Sequence, residues 1–227
     1  IIVIGARPTE NHPVAATYLK RASKRGSKLI VMDPRKQGLT KYAEHHLQFK
    51  PGTDVAMLNA MLHTIVEEKL YDEQYVQGQT EGFEELKKSI KDFSPEKMEA
   101  ICGIEAETLK EVARIYAKSE KSIIFWGMGV SQHVHGTDNA RCLIALALST
   151  GQVGREGTGL HPLRGQNNVQ GASDAGLIPW MYPDYLVVDG EANQNSYEKF
   201  WNTKMDPKRG LTVVEIINAI HADQIKS

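Results

Sequence analysis

Short apolar runs alternate with amphipathic stretches along most of the chain. Three runs, residues 1–4, 28–32 and 122–126, are almost wholly apolar, and each is followed by glycine or aspartate. Uninterrupted apolar runs of this length are typical of parallel strands that are buried on both faces. A shorter run at residues 45–49 predicts a further strand, so the pattern favours a parallel sheet.

The stretches between these runs have the periodicity of helices. One helix is predicted to begin near Pro13 and to end at Gly26. Its apolar face is expected to consist of Val14, Tyr18, Leu19 and Ala22. Further helices are predicted after residue 53, within residues 72–118, where one begins at Ser94-Pro95, and over residues 137–150. A last helix is predicted from Thr212, which has capping-box spacing to Glu215.

Residues 154–176 follow neither pattern, since they are rich in glycine, asparagine and glutamine and have no period. They predict a long loop, and long loops in compact domains are usually functional or disordered. Elsewhere the alternation of strands and helices predicts an α/β fold, a Rossmann-like open parallel sheet with helices on both faces. We expect one domain over residues 1–165 and a partial second domain over residues 166–227.

Composition narrows the possible partners and compartment. Lys and Arg number 27 and Asp and Glu number 28, so the net charge is −1 and no nucleic-acid partner is expected. There is no run of about 18 apolar residues and no leader-like segment. The expectation is therefore a cytoplasmic protein without a membrane span.

The ends and the cysteines add two further expectations. The sequence begins without methionine, inside a predicted strand, and stops shortly after a predicted helix, so we expect an internal fragment of a longer protein. Cys102 and Cys142 are far apart and lack metal-ligand spacing. They are expected to be buried, reduced thiols, and no metal ligand is predicted in this chain.

Three predicted strands end in loops that carry polar or glycine residues. In open α/β sheets ligands bind at the carboxyl ends of strands, so these loops should line one crevice. The first loop, residues 5–12, is not a dinucleotide fingerprint, but it offers a helix N-terminus for phosphate. Asp33 ends the second strand, where an acidic side chain can reach a ribose hydroxyl, and Arg35 could meet phosphate or stack on a base. Alternatively, Asp33-Pro34 forms only a turn.

Two other stretches can be interpreted either as binding sites or as purely structural features. Pro51-Gly52-Thr53-Asp54 either caps the next helix through Thr53 or Asp54, or frames a purine together with Asp33. Residues 161–171 either form a solvated loop or bind a polar ligand. The second interpretation rests on the concentration there of Arg164, Gln166, Asn167, Asn168 and Gln170.

For other candidate residues a structural role is predicted rather than a functional one. His133 and His135 lack a third ligand at suitable spacing and predict a polar turn. Trp180, Tyr182 and Tyr185 are expected to contribute to ordinary packing, with a wall of the site as the alternative.

Together these stretches resemble one family, the molybdenum- or tungsten-dependent oxidoreductases of the dimethyl-sulfoxide-reductase superfamily, in its formate dehydrogenase branch. The resemblance spans residues 1–185, and Arg164-Gly165-Gln166-Asn167-Asn168-Val169-Gln170-Gly171 is its most specific part. The other stretches that carry it are Gly5-Ala6-Arg7-Pro8-Thr9-Glu10-Asn11-His12-Pro13, Asp33-Pro34-Arg35, Pro51-Gly52-Thr53-Asp54, Gly127-Met128-Gly129-Val130 and Thr150-Gly151-Gln152-Val153-Gly154.

The resemblance implies a bis-molybdopterin guanine dinucleotide (bis-MGD) cofactor with molybdenum or tungsten, and formate as substrate. It implies that Arg164 orients formate and that Gln166 and Asn168 orient the pterin or Arg164. The residues implied to bind the rest of the cofactor are Gly5, Arg7, Glu10, Asp33, Pro34, Arg35, Pro51, Gly52, Asp54, Gly127, Met128 and Gly129.

The chain departs from the family pattern in what it lacks. The family's metal-ligating cysteine or selenocysteine and its four-cysteine iron–sulfur motif have no counterpart here, so a 4Fe–4S cluster is implied only for the parent protein. We therefore expect the fragment alone to be inactive and to depend on the remainder of the parent subunit, with an electron-transfer subunit as a possible partner. The alternatives are another reaction of the superfamily, such as nitrate reduction, and a non-catalytic nucleotide-binding or assembly module.

Overall fold

The computed structural model describes residues 1–226, and the chain divides into two compact units. The first unit is Ile1–Gly165 and the second begins at Gln166. Within the described residues, no helix is long and apolar enough to cross a membrane.

A parallel sheet of five strands, counted over the described residues, organises the first unit. Its order is β3-β2-β1-β4-β5, and every neighbouring pair is parallel. The chain therefore moves outward from β1 through β2 and β3, then returns to the other side of β1 for β4 and β5. The strands are β1 (Ile2–Ile4), β2 (Ile30–Met32), β3 (His45–Leu47), β4 (Ile123–Trp126) and β5 (Gly159–Pro162).

Helices connect and cover these strands. A 3₁₀ helix, Gly38–Tyr42, lies between β2 and β3. The α-helices of the first unit are α1 (Pro8–Asn11), α2 (Pro13–Lys24), α3 (Asp54–Glu67), α4 (Glu73–Gln79), α5 (Phe83–Ser89), α6 (Pro95–Cys102), α7 (Ala106–Lys118), α8 (Met128–Ser131) and α9 (Gly136–Ser149).

Alternate residues of the strands bury their side chains on opposite faces of the sheet. Ile2 and Ile4 of β1 belong to one core, which includes residues of α3, α7 and α9. Val3 belongs to a second core, with Ala16 and Leu19 of α2. All three β1 side chains are fully buried, as the continuous apolar run predicts for a strand covered on both faces. The α/β fold with helices on both faces is thus confirmed.

The predicted apolar face of α2 is wrong at Val14 and Tyr18, whereas Leu19 is buried as predicted. Val14 and Tyr18 are 72% and 66% exposed, whereas Ala16 and Leu19 are buried. At about 100° per residue, Ala16 and Leu19 lie on the side of the helix opposite Val14 and Tyr18. The smaller Ala16 faces the sheet, where it allows the helix to pack against Val3 and Val31.

The long loop predicted over residues 154–176 contains regular structure. Residues Gly159–Pro162 form β5, which pairs with β4 along its whole length, and Val169–Asp174 form α10. β5 was missed because it is short, half exposed at an edge of the sheet and contains glycine and proline. Tertiary pairing with β4 outweighs its weak intrinsic preference for a strand.

Two predicted helix starts are confirmed by their caps, whereas Thr53 does not cap α3 with its side chain. Ser94 precedes α6 and accepts from the Lys97 amide, while Thr212 and Glu215 form the predicted capping box of α12 (Val213–His221). Thr53 occupies the N-cap position of α3, but its side chain makes no capping hydrogen bond. The Thr53 hydroxyl instead donates to the Lys50 carbonyl at 2.6 Å, which tightens the preceding turn.

The second unit contains α10 (Val169–Asp174), α11 (Glu191–Trp201) and α12. Tyr182 is buried there, with its ring centroid 4.8 Å from that of Tyr197 and 6.3 Å from that of Trp201. Its predicted role in ordinary packing is therefore confirmed. In the first unit, Cys102 and Cys142 are buried free thiols, as predicted.

Candidate functional site

A cleft of about 460 Å³ lies at the carboxyl ends of the strands in the first unit. It is formed by the segments that follow the strands, with β1 and β4 at the point where the strand order reverses. Its lining residues are Gly5, Ala6, Arg7, Asn11, His12, Asp33, Pro34, Arg35, Phe49, Pro51, Gly52, Asp54, Gly127, Met128, Gly129, His133, Leu163 and Gly165.

Glycines allow the loops after β1 and β4 to interlock at the base of the cleft. The Gly129 amide donates to the Gly5 carbonyl at 3.0 Å. A Cβ atom at Gly129 would lie 2.6 Å from the same oxygen, and one at Gly127 would lie 2.8 Å from it. Gly5 also has a φ of +57°, a left-handed conformation that glycine adopts without cost. Close contact between the two backbones thus requires glycine at these positions.

Asp33 is nearly fully buried and is held by the loop that it begins. One carboxylate oxygen accepts from the Arg35 amide at 2.8 Å, the geometry of a side-chain-stabilised turn. The other accepts from the Gln37 amide group at 3.3 Å, and Gln37 also donates to the Ala6 carbonyl at 2.7 Å. Asp33 therefore stabilises a turn, as one of its two interpretations predicted, and it also lines the cleft. Gln37 links the loops after β1 and β2.

Asp54 places a second carboxylate in the cleft, at the first residue of α3. Its side chain is 2% exposed, and burial raises its pKa above the usual value. The Asp54 amide and the charge of His133 act in the opposite direction and lower the pKa in part. A buried carboxylate open to a cleft is a strong acceptor for a ligand that brings its own hydrogen-bond donors.

Two guanidinium groups supply positive charge. Arg7 and Arg35 line the cleft, and both are exposed. Arg7 lies 3.3 Å from Glu10 in an ion pair, and Glu10 also accepts from the Thr9 hydroxyl at 2.9 Å. Glu10 does not line the cleft, so it contacts Arg7 from outside.

His12 connects the first loop with the segment after β5. Its Nε2 atom lies 2.7 Å from the Arg164 carbonyl oxygen. Its Nδ1 atom is buried and has no hydrogen-bond partner among the described residues. Arg164 itself is exposed, while its neighbours Leu163 and Gly165 line the cleft.

The structure brings most of the predicted binding residues together. Those that line the cleft are Gly5, Arg7, Asp33, Pro34, Arg35, Pro51, Gly52, Asp54, Gly127, Met128 and Gly129. Glu10 and Arg164 lie outside the lining. Gln166 and Asn168 belong to the second unit, where Asn168 has a φ of +49° and precedes α10.

Sequence reasoning did not name several lining residues individually, although some lie in a loop that it predicted to line the crevice. They are Ala6, Asn11, His12, Phe49, His133, Leu163 and Gly165. Position relative to a strand end could have found Phe49, which immediately precedes the turn after β3. Nothing comparable marks His133, which lies between α8 and α9. Among the described residues, no group of three or more His, Cys, Asp or Glu side chains could hold a metal ion.

Comparison with known proteins gives a consistent result. The pattern of the molybdopterin oxidoreductase family matches residues 1–226. The F420-dependent formate dehydrogenase subunit alpha of Methanocaldococcus jannaschii is 44% identical over 96% of this chain and 32% of its own length. Formate dehydrogenase H of Escherichia coli K12 is 42% identical over 91% of this chain and 29% of its own length. This chain therefore spans about a third of the length of these curated relatives.

A solved structure resembles the chain as well. Acetylene hydratase from Pelobacter acetylenicus superposes with a TM-score of 0.64 and is 28% identical, over 69% of this chain and 22% of its own. The sheet, the cleft at its switch point and these similarities agree, and the chain belongs to the molybdopterin oxidoreductase family.

Proposed function

We propose that this chain is the dinucleotide-holding part of a formate dehydrogenase catalytic subunit, which oxidises formate to carbon dioxide. The observation that carries the proposal is the match to formate dehydrogenases at 40–44% identity over 91–100% of the chain. The chemistry of the cleft supports the same conclusion, because its residues fit a guanine dinucleotide.

The fit rests on charge and on backbone shape. Asp33 and Asp54 offer carboxylates to the hydroxyl and amino donors of a guanosine, whereas Arg7 and Arg35 suit phosphate. Gly52 has a φ of +81° and space where a Cβ atom would stand, so a ring can approach the backbone closely. The volume of the cleft lies within the range of small-ligand sites.

In the proposed mechanism the bound molybdenum or tungsten centre supplies the two-electron acceptor. The residues of this chain bind and orient the reactants. Arg164 holds the formate carboxylate through paired N–H donors, a geometry that the guanidinium fork provides and an ammonium does not. Gln166 and Asn168 hold the pterin or Arg164 in place. These roles position the substrate rather than change its bonding.

Other parts of the proposed enzyme lie outside this chain. The metal-ligating cysteine or selenocysteine and the ligands of a 4Fe–4S cluster would come from the remainder of the parent subunit, and an electron-transfer subunit would take up the electrons. We therefore expect the 227-residue chain alone not to oxidise formate.

A second candidate is another reaction of the same family. The structural neighbour is named for the hydration of acetylene rather than for formate oxidation, so this fold serves more than one reaction. The candidates differ in substrate and therefore in the need for a carboxylate-binding arginine.

The test is the substitution of Arg164 in the full-length subunit. Arg164→Ala removes charge-assisted hydrogen bonds and is expected to lower kcat/KM for formate by about 100-fold or more. Arg164→Lys retains the charge and should lower it by about tenfold. Steady-state kinetics with formate measure both values.

The matched control is Arg141→Ala. Arg141 is a largely exposed arginine whose 3.4 Å ion pair with Asp138 contributes little, so formate kinetics should not change. Wild-type kcat/KM in Arg164→Ala would remove Arg164 from the mechanism. A parent enzyme that does not oxidise formate at all would overturn the proposed reaction itself.

A further inference from the structure

His12 lies between two segments that both contribute to the cleft. It ends the short helix α1 after β1, and its Nε2 atom is 2.7 Å from the carbonyl oxygen of Arg164, 152 positions along the chain. A carbonyl oxygen only accepts hydrogen bonds, so Nε2 must carry the hydrogen. The ring therefore donates to the backbone of the residue proposed to orient formate.

The second ring nitrogen has a different environment. In a neutral imidazole whose Nε2 is protonated, Nδ1 is an acceptor. Nδ1 is buried and has no partner among the described residues, although His12 lines the cleft. An unsatisfied buried acceptor is costly and native structures contain few, so a group of this kind beside a cleft points to a ligand that supplies the missing donor.

The segment that His12 holds has a further backbone anchor nearby. The Leu163 amide donates to the Trp126 carbonyl at 2.7 Å, the last bond between β4 and the segment after β5. Beyond it, Gly165 passes so close to Met128 that a Cβ atom there would lie 2.3 Å from the methionine methyl group. The His12 contact thus fixes the backbone between these two points, at Arg164.

We propose that His12 is a positioning residue with two separable contacts. Through Nε2–H it fixes the Arg164 backbone at the rim of the cleft. Through Nδ1 it accepts a hydrogen bond from an N–H or O–H group of the pterin-type cofactor in the cleft. The proposal rests on the proposed function for the identity of the cofactor, whereas the contact with Arg164 is independent of it.

Substitution by Gln and by Asn separates the two contacts, because the amide group of each side chain reaches the position of one of the two histidine nitrogens. His12→Gln places an amide nitrogen near the Nε2 position, so it retains the donor to Arg164 and loses the Nδ1 acceptor. His12→Asn reaches only to the Nδ1 position, so it retains a polar group there and loses the donor. His12→Ala loses both. His221, which is exposed in the last turn of α12, provides matched controls as His221→Gln and His221→Asn.

The first measurement is amide hydrogen exchange of the full-length holoenzyme, followed in peptides that cover residues 159–165. His12→Asn and His12→Ala should accelerate exchange there by about five- to tenfold, the effect of one lost hydrogen bond. His12→Gln and both His221 variants should exchange as the wild type does. Peptides from α3 and α7 in the core should not change in any variant.

The second measurement uses the same samples. His12→Gln should lower the bound molybdenum or tungsten per chain by elemental analysis, because the cofactor loses an acceptor. His12→Asn should retain the metal but raise KM for formate by about five- to tenfold with a smaller change in kcat.

Unchanged exchange over residues 159–165 in both His12→Asn and His12→Ala would overturn the contact with Arg164. Wild-type metal content in both His12→Gln and His12→Ala would overturn the cofactor contact. The amide exchange and metal content of the His12 variants can also change as expected while the wild-type enzyme does not oxidise formate. In that case the proposed reaction fails and the inference about His12 stands.

Discussion

At the scale of single residues, Asp54 combines a structural cost with a proposed role. It is the most deeply buried charged side chain that lines the cleft, with 2% of its surface exposed, and burial raises its pKa. A carboxyl group with a raised pKa binds its proton more tightly in the folded state than in the unfolded state. Its ionised form therefore destabilises the fold, and the penalty develops as the pH rises above the ordinary value of 3.8.

Asp54→Asn is expected to remove this penalty. At pH 7 the variant should be more stable than the wild type by roughly 0.5–1 kcal/mol, a usual gain when a buried functional charge is removed. The difference should vanish as the pH falls below 3.8, since both side chains are then neutral. Urea unfolding at several pH values measures it.

The control is Asp92→Asn, since the Asp92 side chain is 89% exposed and its removal should change stability little at any pH. In the full-length subunit Asp54→Asn should also reduce the bound guanine nucleotide, because the proposed acceptor is weakened. A variant that is less stable at pH 7 and retains all of its nucleotide would contradict both statements.

At the scale of elements, the interlocked loops after β1 and β4 decide the shape of the cleft floor. They contact through backbone atoms of Gly5, Gly127 and Gly129, so no side chain can be added without moving one loop. Gly129→Ala is expected to destabilise the fold by about 1–3 kcal/mol, the usual cost of overpacking. Thermal or urea unfolding would measure this loss.

Gly78→Ala is the matched control for that substitution. Gly78 lies inside α4, and a Cβ atom there would meet nothing within 4 Å. Alanine at this helical position should therefore stabilise the protein by about 0.5–1 kcal/mol. If Gly129→Ala and Gly78→Ala changed the free energy of unfolding equally, the loops would have adapted to the added methyl group, and the prediction of overpacking would be wrong.

These elements also show which parts of the structure the sequence could predict. The strands β1, β2 and β4 were predictable because continuous apolar runs are unusual outside doubly covered sheets, and Ser94 and Thr212 marked helix starts through local bonds. β5 was not, because its strand conformation depends on pairing with β4. The face of α2 was misjudged because contact with Val3 and Val31 favours the small Ala16 over Tyr18.

At the scale of the whole molecule, the position of the site followed from topology, and its details did not. Parallel strands end at one edge of the sheet, so loops distant in sequence were expected to meet there. His133 was not predicted to line the cleft, since its place depends on contacts between loops that have no periodic signature. His12 lies in a loop that was predicted to line the cleft, but it was not named as a binding residue. The glycines were predicted to approach a ligand, and the structure gives them a further reason in the contact between two loops.

The extent of the chain also predicts how much metal it should bind in isolation. The described residues contain no group of three or more candidate metal-ligating side chains, and the chain spans about a third of the length of its relatives. The purified 227-residue chain should therefore contain molybdenum or tungsten far below one atom per chain. Elemental analysis, with the full-length subunit as reference, tests this, and a stoichiometric metal content would show that the cleft retains the centre unaided.

The strand order has a consequence for the timing of biosynthesis. The central strand β1 emerges first, but the cleft beside it needs β4 and the segment up to Gly165. At roughly 5–20 residues per second, synthesis from Gly5 to Gly165 takes on the order of ten to thirty seconds. During that interval the first loop has no partner across the switch point. A ligand that needs the whole cleft can therefore bind only after this unit has been translated. A chain stalled before Gly159 would present the loops after β1 and β2 without the wall that closes the cleft.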